Sequence, residues 1–297
     1  MQLLVTPSPH ITDKNTTSKI MFTVMLALTP AVLMSFYFFG VKALVLIGVS
    51  MGSAVLVELI LNLLFKKVIT IFDGSALLTG LLLGMSLPPS LPLWMVVIGN
   101  FVAIGIAKYI FGGLGHNIFN PANVGRAFLL ASYPVAMTTW HVVGVGFEFS
   151  AVTGATPLSI ADPSLVSKLS MLIGSVAGSV GETSAIALLI GGCFLVYKKI
   201  IDWIIPAAYI GAVVGLALIF NQDLLLHLLS GGLILGAFFM ATDYVTSPVT
   251  KLGKFIYALL GGILVFVIRV YGGYPEGVCY SILIINALAP LIDRYIK

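Results

Sequence analysis

The chain has 297 residues, of which 59% are hydrophobic and only 9% are charged, with a net charge of +4. Soluble domains carry roughly 25% charged residues, so this composition excludes a water-soluble fold and indicates an integral membrane protein. The basic residues stand in short turns between apolar runs, which does not indicate a nucleic-acid partner. Cys193 and Cys279 lack the CxxC spacing of iron–sulfur and zinc sites, so no metal site is expected.

Ten apolar runs alternate with short segments rich in glycine, proline and charge. About 20 residues in a helix cross the hydrocarbon core, and helices satisfy their own backbone groups in lipid. The predicted membrane helices are 20–39, 43–65, 73–87, 92–111, 121–134, 183–197, 202–220, 225–241, 253–271 and 277–293. Two of them, 73–87 and 121–134, reach only about 22 Å, so we expect them to be tilted, broken or re-entrant.

Lysine and arginine concentrate in one set of turns, and this predicts the orientation. With the N-terminus inside, the inside turns hold Lys14, Lys19, Lys66, Lys67, Lys108, Lys198, Lys199, Lys251, Lys254, Arg294 and Lys297, and the outside turns hold only Lys42 and Lys168. Cytoplasmic loops carry this excess of positive charge. We therefore expect both termini in the cytoplasm of a bacterial or archaeal cell, a multi-pass protein of the inner membrane, and the long loop 135–182 outside.

The sequence also shows signs of an internal repeat. Leu78–Gly84 is similar to Ser230–Gly236, and Phe111–Gly113 is similar to Tyr271–Gly273 at a comparable distance further on. Five predicted helices separate the copies, so the second copy starts from the opposite side of the membrane. This arrangement is typical of inverted-repeat transporters. One membrane domain, 1–297, is thus predicted as a first repeat (1–134), an extracytoplasmic loop (135–182) and a second repeat (183–297).

Charged residues inside or beside the apolar runs are candidates for function, because burying a charge in a membrane is costly. Asp73 precedes one predicted helix and Asp243 follows another, and we expect them to cap helices or to form hydrogen bonds at the interface. Glu58, Arg126 and Arg269 lie deeper. The two arginines either bind carbonyl groups, extend to the interface, or, in the case of Arg126, contribute to a cofactor site.

The segment Gly112–Arg126 combines a glycine-rich loop with the helix start Asn120-Pro121. Proline is favoured at the first position of a helix, and the free N–H groups of a helix start bind anions or polar ligand edges. Asn120 and Asn123 are three residues apart and share a face. Asparagine offers both donors and acceptors, which suits the edge of a flavin ring. The alternative is a capped, tightly packed re-entrant helix without a ligand.

The predicted outside loop contains Thr153-Gly154-Ala155-Thr156, followed by Pro157. This Ser/Thr-Gly-Ala-Ser/Thr pattern resembles the site at which a flavin transferase attaches FMN to threonine through its phosphate. A hydroxyl can form a phosphoester, the small residues allow an enzyme to approach the backbone, and proline stiffens the chain directly after the motif.

Taken together, these segments resemble one family: the D subunit of the Rnf complex and its homologue, the B subunit of the sodium-pumping NADH:quinone reductase. The matching segments are Asp73–Pro88, Gly112–Leu130, Thr153–Pro157 and Met240–Pro248, in the same order across nearly the whole chain. The chain starts almost directly at its first predicted helix, which favours the Rnf branch.

The resemblance implies a fold and two cofactors. The fold would be an all-α polytopic membrane protein of about ten helices in two inverted five-helix halves, similar to urea transporters. Covalent FMN would be carried on Thr156 within the motif of Thr153, Gly154 and Ala155. A non-covalent riboflavin would be held near Asn120 and Asn123.

The sequence therefore predicts an electron-relay subunit of an Rnf-type, ion-translocating ferredoxin:NAD oxidoreductase, incomplete as an enzyme on its own. The expected partners are the other subunits, including a second flavoprotein and iron–sulfur subunits, a flavin transferase and the lipid bilayer, with no nucleic acid. The alternatives are a subunit of the NADH:quinone reductase type and a flavin-free, urea-transporter-like solute channel.

Overall fold

A computed structural model describes residues 16–67, 70–141, 153–154, 156–159, 168–182, 184–272 and 277–296. Its helices are α1 (Thr17–Phe39), α2 (Val41–Leu64), α3 (Ser75–Met85), α4 (Leu93–Asn100, continued by a π-helix, Phe101–Tyr109), α5 (Pro121–Ser132), α6 (Pro134–Met137), α7 (Lys168–Ile173), α8 (Ala185–Tyr197), α9 (Ile204–Ile219), α10 (Leu224–Leu229), α11 (Leu233–Leu235, continued by a π-helix, Gly236–Met240), α12 (Lys251–Tyr271) and α13 (Val278–Tyr295). Short 3-10 turns lie at Ile71–Asp73 and Pro157–Ser159.

The prediction of an all-α membrane protein is confirmed. Each of the ten predicted apolar runs contains helix in the structure. Four of the described helices, α1, α2, α12 and α13, are long and apolar enough to cross a membrane. In the part of the chain that the structure describes, β-structure is limited to the antiparallel pair β1 (Trp140–His141) and β2 (Thr153–Gly154).

The prediction of one continuous helix over 225–241 is wrong, because the chain is interrupted between α10 and α11. Ser230 is extended, and Gly231 and Gly232 have φ angles of 64° and 66°, a left-handed conformation that favours glycine. Arg269 of α12 donates to the carbonyl oxygens of Ser230 at 2.8 Å and Gly231 at 3.2 Å. The break therefore keeps its backbone hydrogen bonds inside the protein, as apolar surroundings require.

Helices pack closely where glycines let two backbones approach. The main pairs are α1 with α8, α2 with α3, and α9 with α12. A Cβ atom at Gly80 of α3 would lie 2.7 Å from the carbonyl oxygen of Ser50 in α2, and one at Gly262 of α12 would clash with the backbone of Tyr209 in α9. Small residues at such crossings are how membrane helices gain packing energy.

Helix ends converge at two sides of the molecule. At one side Ser18 donates to the carbonyl oxygen of Phe72 at 3.2 Å, and the starts of α1, α3 and α5 surround one cavity with the ends of α8 and of the first π-helix. At the other side, the hydroxyl of Ser35 donates to the carbonyl oxygen of Val180 at 2.6 Å. Large apolar side chains such as Leu33 and Ile219 face outward, 67% and 72% exposed, as surfaces that contact lipid do.

Candidate functional site

Asn120, one of the two predicted asparagines, lines a cavity of about 90 Å³ at the side where α1, α3 and α5 begin. Its polar lining includes Ser75, Lys108, Asn117, Asn120 and Asp243. Apolar side chains from α1, α3, α8 and the second π-helix form the rest of the wall. A mostly apolar cavity with a few convergent polar groups is the common form of a small-molecule site.

Asn120 is the N-cap of α5, as its position before Pro121 predicted. Its Oδ1 accepts from the backbone N–H groups of Ala122 at 3.0 Å and Asn123 at 3.3 Å, while its Nδ2 donates to the carbonyl oxygen of Met240 at 3.1 Å. A cap of this kind satisfies helix N–H groups that otherwise lack partners. The side chain of Asn120 therefore has a structural role that a ligand is not needed to explain.

Asn286 of α13 ties the same helix start to the second half of the chain. Its amide is satisfied at both atoms when Oδ1 accepts from the backbone N–H of Asn120 at 3.0 Å and Nδ2 donates to the carbonyl oxygen of Ile282 at 3.1 Å. The Tyr257 hydroxyl lies 2.6 Å from the same amide. Asn286 and Tyr257 are fully buried, so this network holds α5 in a defined position against α12 and α13.

Asn123 behaves differently from Asn120. It is 0% exposed, and neither Nδ2 nor Oδ1 has a hydrogen-bond partner among the described residues. Buried amides are almost always hydrogen-bonded, because leaving one unpaired costs free energy. Of the two predicted asparagines, Asn123 is thus the one with donor and acceptor capacity left for a polar ligand edge.

A buried ion pair lies beside the cavity. Nζ of Lys108, in the last turn of the first π-helix, is 2.8 Å from Oε1 of Glu58 in α2 and 2.6 Å from the hydroxyl oxygen of Ser75. The side chains of Lys108 and Glu58 are each 4% exposed. Oε2 of Glu58 has no partner among the described residues. The prediction that Lys108 stands in a turn is wrong, because the residue lies within the π-helix Phe101–Tyr109 and its side chain is buried.

The two aspartates next to apolar runs act within their own turns. Oδ1 of Asp73 accepts from the N–H of Ser75 at 2.7 Å at the start of α3, whose N-cap residue is Gly74. Asp243 accepts from the N–H of Val245 at 3.4 Å and the hydroxyl of Thr246 at 3.4 Å. Burial raises the pKa of the Asp243 carboxyl above its ordinary value, although these hydrogen bonds and one from Asn117 oppose the shift.

The predicted flavin-bearing motif lies on the opposite side of the molecule. Gly154 pairs with Trp140, and Thr153 pairs with His141, in the short β-structure. Thr156 is 5% exposed and lines a cavity of about 20 Å³, which has room for one water. Ala155 lies outside the described residues.

Two arginines lie near this smaller cavity. Arg126 in α5 forms an ion pair with Glu182, Nη1 to Oε1 3.2 Å, and Glu182 lines the cavity together with Thr156. Arg269 lies against Gly231, which also lines it. The structure therefore places Arg126 on the side of Thr156, so α5 begins at the cavity of Asn120 and carries Arg126 toward that of Thr156.

Comparison with known proteins decides the family. The model of the NQR2, RnfD, RnfE family matches residues 4–297. The chain belongs to this family. It is 49% identical to the D subunit of the proton-translocating ferredoxin:NAD(+) oxidoreductase complex of Clostridium ljungdahlii, over 98% of this chain and 93% of that one. It is 47% identical to the D subunit of the Na(+)-translocating ferredoxin:NAD(+) oxidoreductase complex of Acetobacterium woodii, over 100% and 94%. It is 39% identical to the D subunit of the ion-translocating oxidoreductase complex of Yersinia pseudotuberculosis, over 99% and 96%.

Family membership confirms the resemblance drawn from the four sequence segments. It also confirms the prediction that the chain is a subunit of an ion-translocating oxidoreductase. The sequence did not point to Lys108, Tyr257 or Asn286, which reach the candidate site only through helix packing. Two signals could have suggested them: a lysine inside the predicted run 92–111, and an asparagine inside the predicted run 277–293.

Proposed function

We propose that the chain is the electron-relay subunit of an Rnf-type ferredoxin:NAD oxidoreductase, with FMN esterified to Thr156 and a second, non-covalent flavin beside α5. A flavin accepts one or two electrons, and the protein supplies its position and its electrostatic environment. The relatives are named proton-translocating in one organism and Na(+)-translocating in another. Similarity to both therefore leaves the coupling ion open.

The proposal of a second flavin rests on one observation, the unpaired amide of Asn123. A fully buried amide with two unpaired atoms is unfavourable for the protein alone, and a bound ring with its own donors and acceptors would satisfy it. The neighbouring residues Asn120, Pro121 and Ala122 line the cavity, whereas Asn123 lies behind its wall, so a ring that reaches this amide must displace side chains of that wall. Non-covalent riboflavin fits this donor and acceptor set, and Asn120 holds the helix that presents it.

The covalent FMN is supported by the threonine motif and by the charges around it. A phosphoester adds negative charge, and Arg126 and Arg269 lie next to the cavity that Thr156 lines. Thr156 is buried, and the cavity that it lines is too small to hold an attached FMN. The segment that carries Thr156 must therefore lift away from Glu182 and Gly231 when a flavin transferase acts.

The two-half architecture is part of the same proposal. The similar segments differ in structure here: Leu78–Gly84 lies within the regular helix α3, whereas Ser230–Gly236 spans the break before α11 and the start of that helix. We infer that the halves are inverted repeats that cross the membrane ten times, with both termini in the cytoplasm and Thr156 outside. The lysine-rich turns support this orientation.

The partners are inferred from the motifs that the sequence lacks. It has two cysteines and no cysteine cluster or nucleotide-binding motif, so the chain cannot oxidise ferredoxin or NADH alone. We infer that other subunits of the complex, including an iron–sulfur subunit and a second flavoprotein, deliver and remove the electrons.

The substitution Thr156→Val tests the covalent site. Valine has nearly the shape of threonine but no hydroxyl to esterify, so the variant should insert normally and lose all covalent flavin. The readouts are ultraviolet fluorescence of the denatured protein in a gel and the mass of the tryptic peptide 127–168, after production with a flavin transferase. Electron transfer through the assembled complex should collapse, because a missing relay lengthens the electron's path.

Two variants serve as controls. Thr153→Ser should keep full modification, and Thr156→Ser should keep at least partial modification because a hydroxyl remains. A flavin-free solute channel predicts no flavin mass in the wild type and little effect of any substitution. Wild-type peptide without FMN, from cells that contain the transferase, would refute the proposal.

A further inference from the structure

A continuous series of hydrogen bonds leads from the protein surface to the buried carboxylate of Glu58. Nζ of Lys108 donates to Oε1 of Glu58 at 2.8 Å and to the hydroxyl oxygen of Ser75 at 2.6 Å. The hydroxyl of Ser75 in turn donates to Oδ1 of Asp73 at 2.6 Å. Asp73 is half-buried, and the other three residues are buried. Together Asp73, Ser75, Lys108 and Glu58 form a polar chain with one end at the surface.

The polar chain enters a helix of membrane-spanning length. Glu58 belongs to α2, which is long and apolar enough to cross a membrane, and it lies about 9 Å before the end of that helix at Leu64. The surface end, at Asp73, is on the side where α1 and α3 begin. The proposed orientation places this side in the cytoplasm.

The proton between Lys108 and Glu58 has two favourable positions. Both side chains are 4% exposed, and charges removed from water are costly to keep inside a membrane protein. Moving one proton from Nζ to the carboxylate removes both charges, which offsets the loss of their attraction. The pair is therefore able to pass a proton on. Oε2 of Glu58 has no partner among the described residues, so the far side of the carboxyl group is available for the next transfer.

A second contact to Glu58 does not supply protons. The hydroxyl of Thr70 donates to the same Oε1 at 3.0 Å and accepts from Nδ2 of Asn62 at 3.2 Å. An asparagine amide is not among the side chains that titrate in water, so this branch ends at a group that keeps its protons. Among the described residues, the polar chain is thus the one connection from Glu58 to a carboxyl group at the surface.

Resting on the proposed orientation, we propose that the polar chain takes up protons from the cytoplasmic side and delivers them to Glu58. In one transfer the Nζ–H bond of Lys108 breaks and an O–H bond forms on Glu58, which leaves a neutral amine and a neutral carboxyl group. The amine regains a proton from the hydroxyl of Ser75, whose oxygen takes one from the Asp73 carboxyl after the aqueous phase has protonated it. One proton enters the protein, and no electron moves.

The chemistry of the polar chain favours a proton over a sodium ion. Hard cations are held by several oxygen ligands at once, whereas Glu58 offers one unpaired oxygen among the described residues. The ammonium group of Lys108 lies beside that carboxylate and repels a second cation. Each link of the polar chain, by contrast, contains an exchangeable proton.

The test compares Ser75→Val with Ser75→Thr in the complete complex, reconstituted in liposomes and driven by reduced ferredoxin and NAD. Valine and threonine have nearly the same shape, and only threonine keeps the hydroxyl. The measured quantity is the initial rate of proton uptake per assembled complex, reported by a pH-sensitive dye. Ser75→Val should lower this rate by about a hundredfold, the lower end of what a positioned proton-transfer group contributes. Ser75→Thr should keep a rate close to that of the wild type.

Two further variants test the route. Thr70→Val removes the other hydroxyl that is bonded to Glu58 and, as the matched control, should leave proton uptake unchanged. Asp73→Asn keeps an oxygen for the Ser75 hydroxyl but cannot carry a proton, so it should slow proton uptake as Ser75→Val does. Asp73→Asn also decides the question if the Ser75 variants do not assemble.

Several results would contradict the proton relay. Equal rates in Ser75→Val and Ser75→Thr overturn it, as does an equal loss in Thr70→Val or an unchanged rate in Asp73→Asn. A wild-type complex that accumulates Na⁺ without taking up protons also overturns it. FMN on the tryptic peptide 127–168 is measured in the same samples. FMN present with any of these results leaves the proposed function standing, and uptake that depends on the Ser75 hydroxyl without FMN leaves the relay standing alone.

Discussion

Asn120 and Asn123 are three residues apart on one helix, yet their replacement by leucine should change the stability of the protein in opposite directions. Asn120 makes three hydrogen bonds inside the protein. Asn123 makes none through its side chain among the described residues. Leucine has the same number of side-chain heavy atoms as asparagine, in the same branched arrangement, so each substitution removes the polar atoms while keeping the branched shape of the side chain.

The magnitudes follow from these contacts. Asn120→Leu removes an N-cap, worth about 0.5–2 kcal/mol, and leaves the buried carbonyl of Met240 without this donor, a further cost of about 1–3 kcal/mol. Asn123→Leu removes two buried atoms that are desolvated without a compensating hydrogen bond, so it should stabilise the ligand-free protein by about 1–3 kcal/mol. The expected difference between the two variants is several kcal/mol.

The assay is thermal unfolding of each purified variant in detergent, with and without added riboflavin, together with the amount of extractable riboflavin in the assembled complex. Riboflavin should raise the midpoint of the wild type, since a ligand stabilises the state that binds it. It should leave Asn123→Leu unchanged. The reasoning fails if Asn123→Leu is destabilised as much as Asn120→Leu, or if it keeps its riboflavin.

Two further predictions concern topology and pH. Single cysteines are introduced by Ser164→Cys or Ser18→Cys into a cysteine-free variant of the protein. In intact cells, a membrane-impermeant thiol reagent should label Ser164→Cys and not Ser18→Cys, and the reverse labelling would overturn the orientation. Asp243→Asn should gain stability relative to the wild type as the pH rises above about 3.9, the ordinary pKa of an aspartate carboxyl. The raised pKa means that the folded protein binds this proton more tightly than the unfolded chain, so wild-type stability falls as the pH rises from that value through the folded-state pKa. A difference in thermal midpoint that does not vary with pH would contradict this.

The positions of the helices were determined by the sequence alone. Hydropathy is a local property, and a run of apolar residues in lipid has only the helix to satisfy its backbone, so the predicted ten runs all contain helix. The cap formed by Asn120-Pro121 was equally predictable, because the residues that make it are adjacent. The motif at Thr153–Pro157 and the family resemblance likewise needed only residue order.

The tertiary structure alone decided which side chains meet. The contacts of Glu58 with Lys108 and of Asn286 with Asn120 join positions 50 and 166 residues apart, and hydropathy carries no information about partners at such separations. The break at Gly231 and Gly232 was also hidden, because glycines are common within membrane helices. Only the packing of α12, which brings Arg269 to the exposed carbonyls, makes an interrupted helix more favourable there than a continuous one.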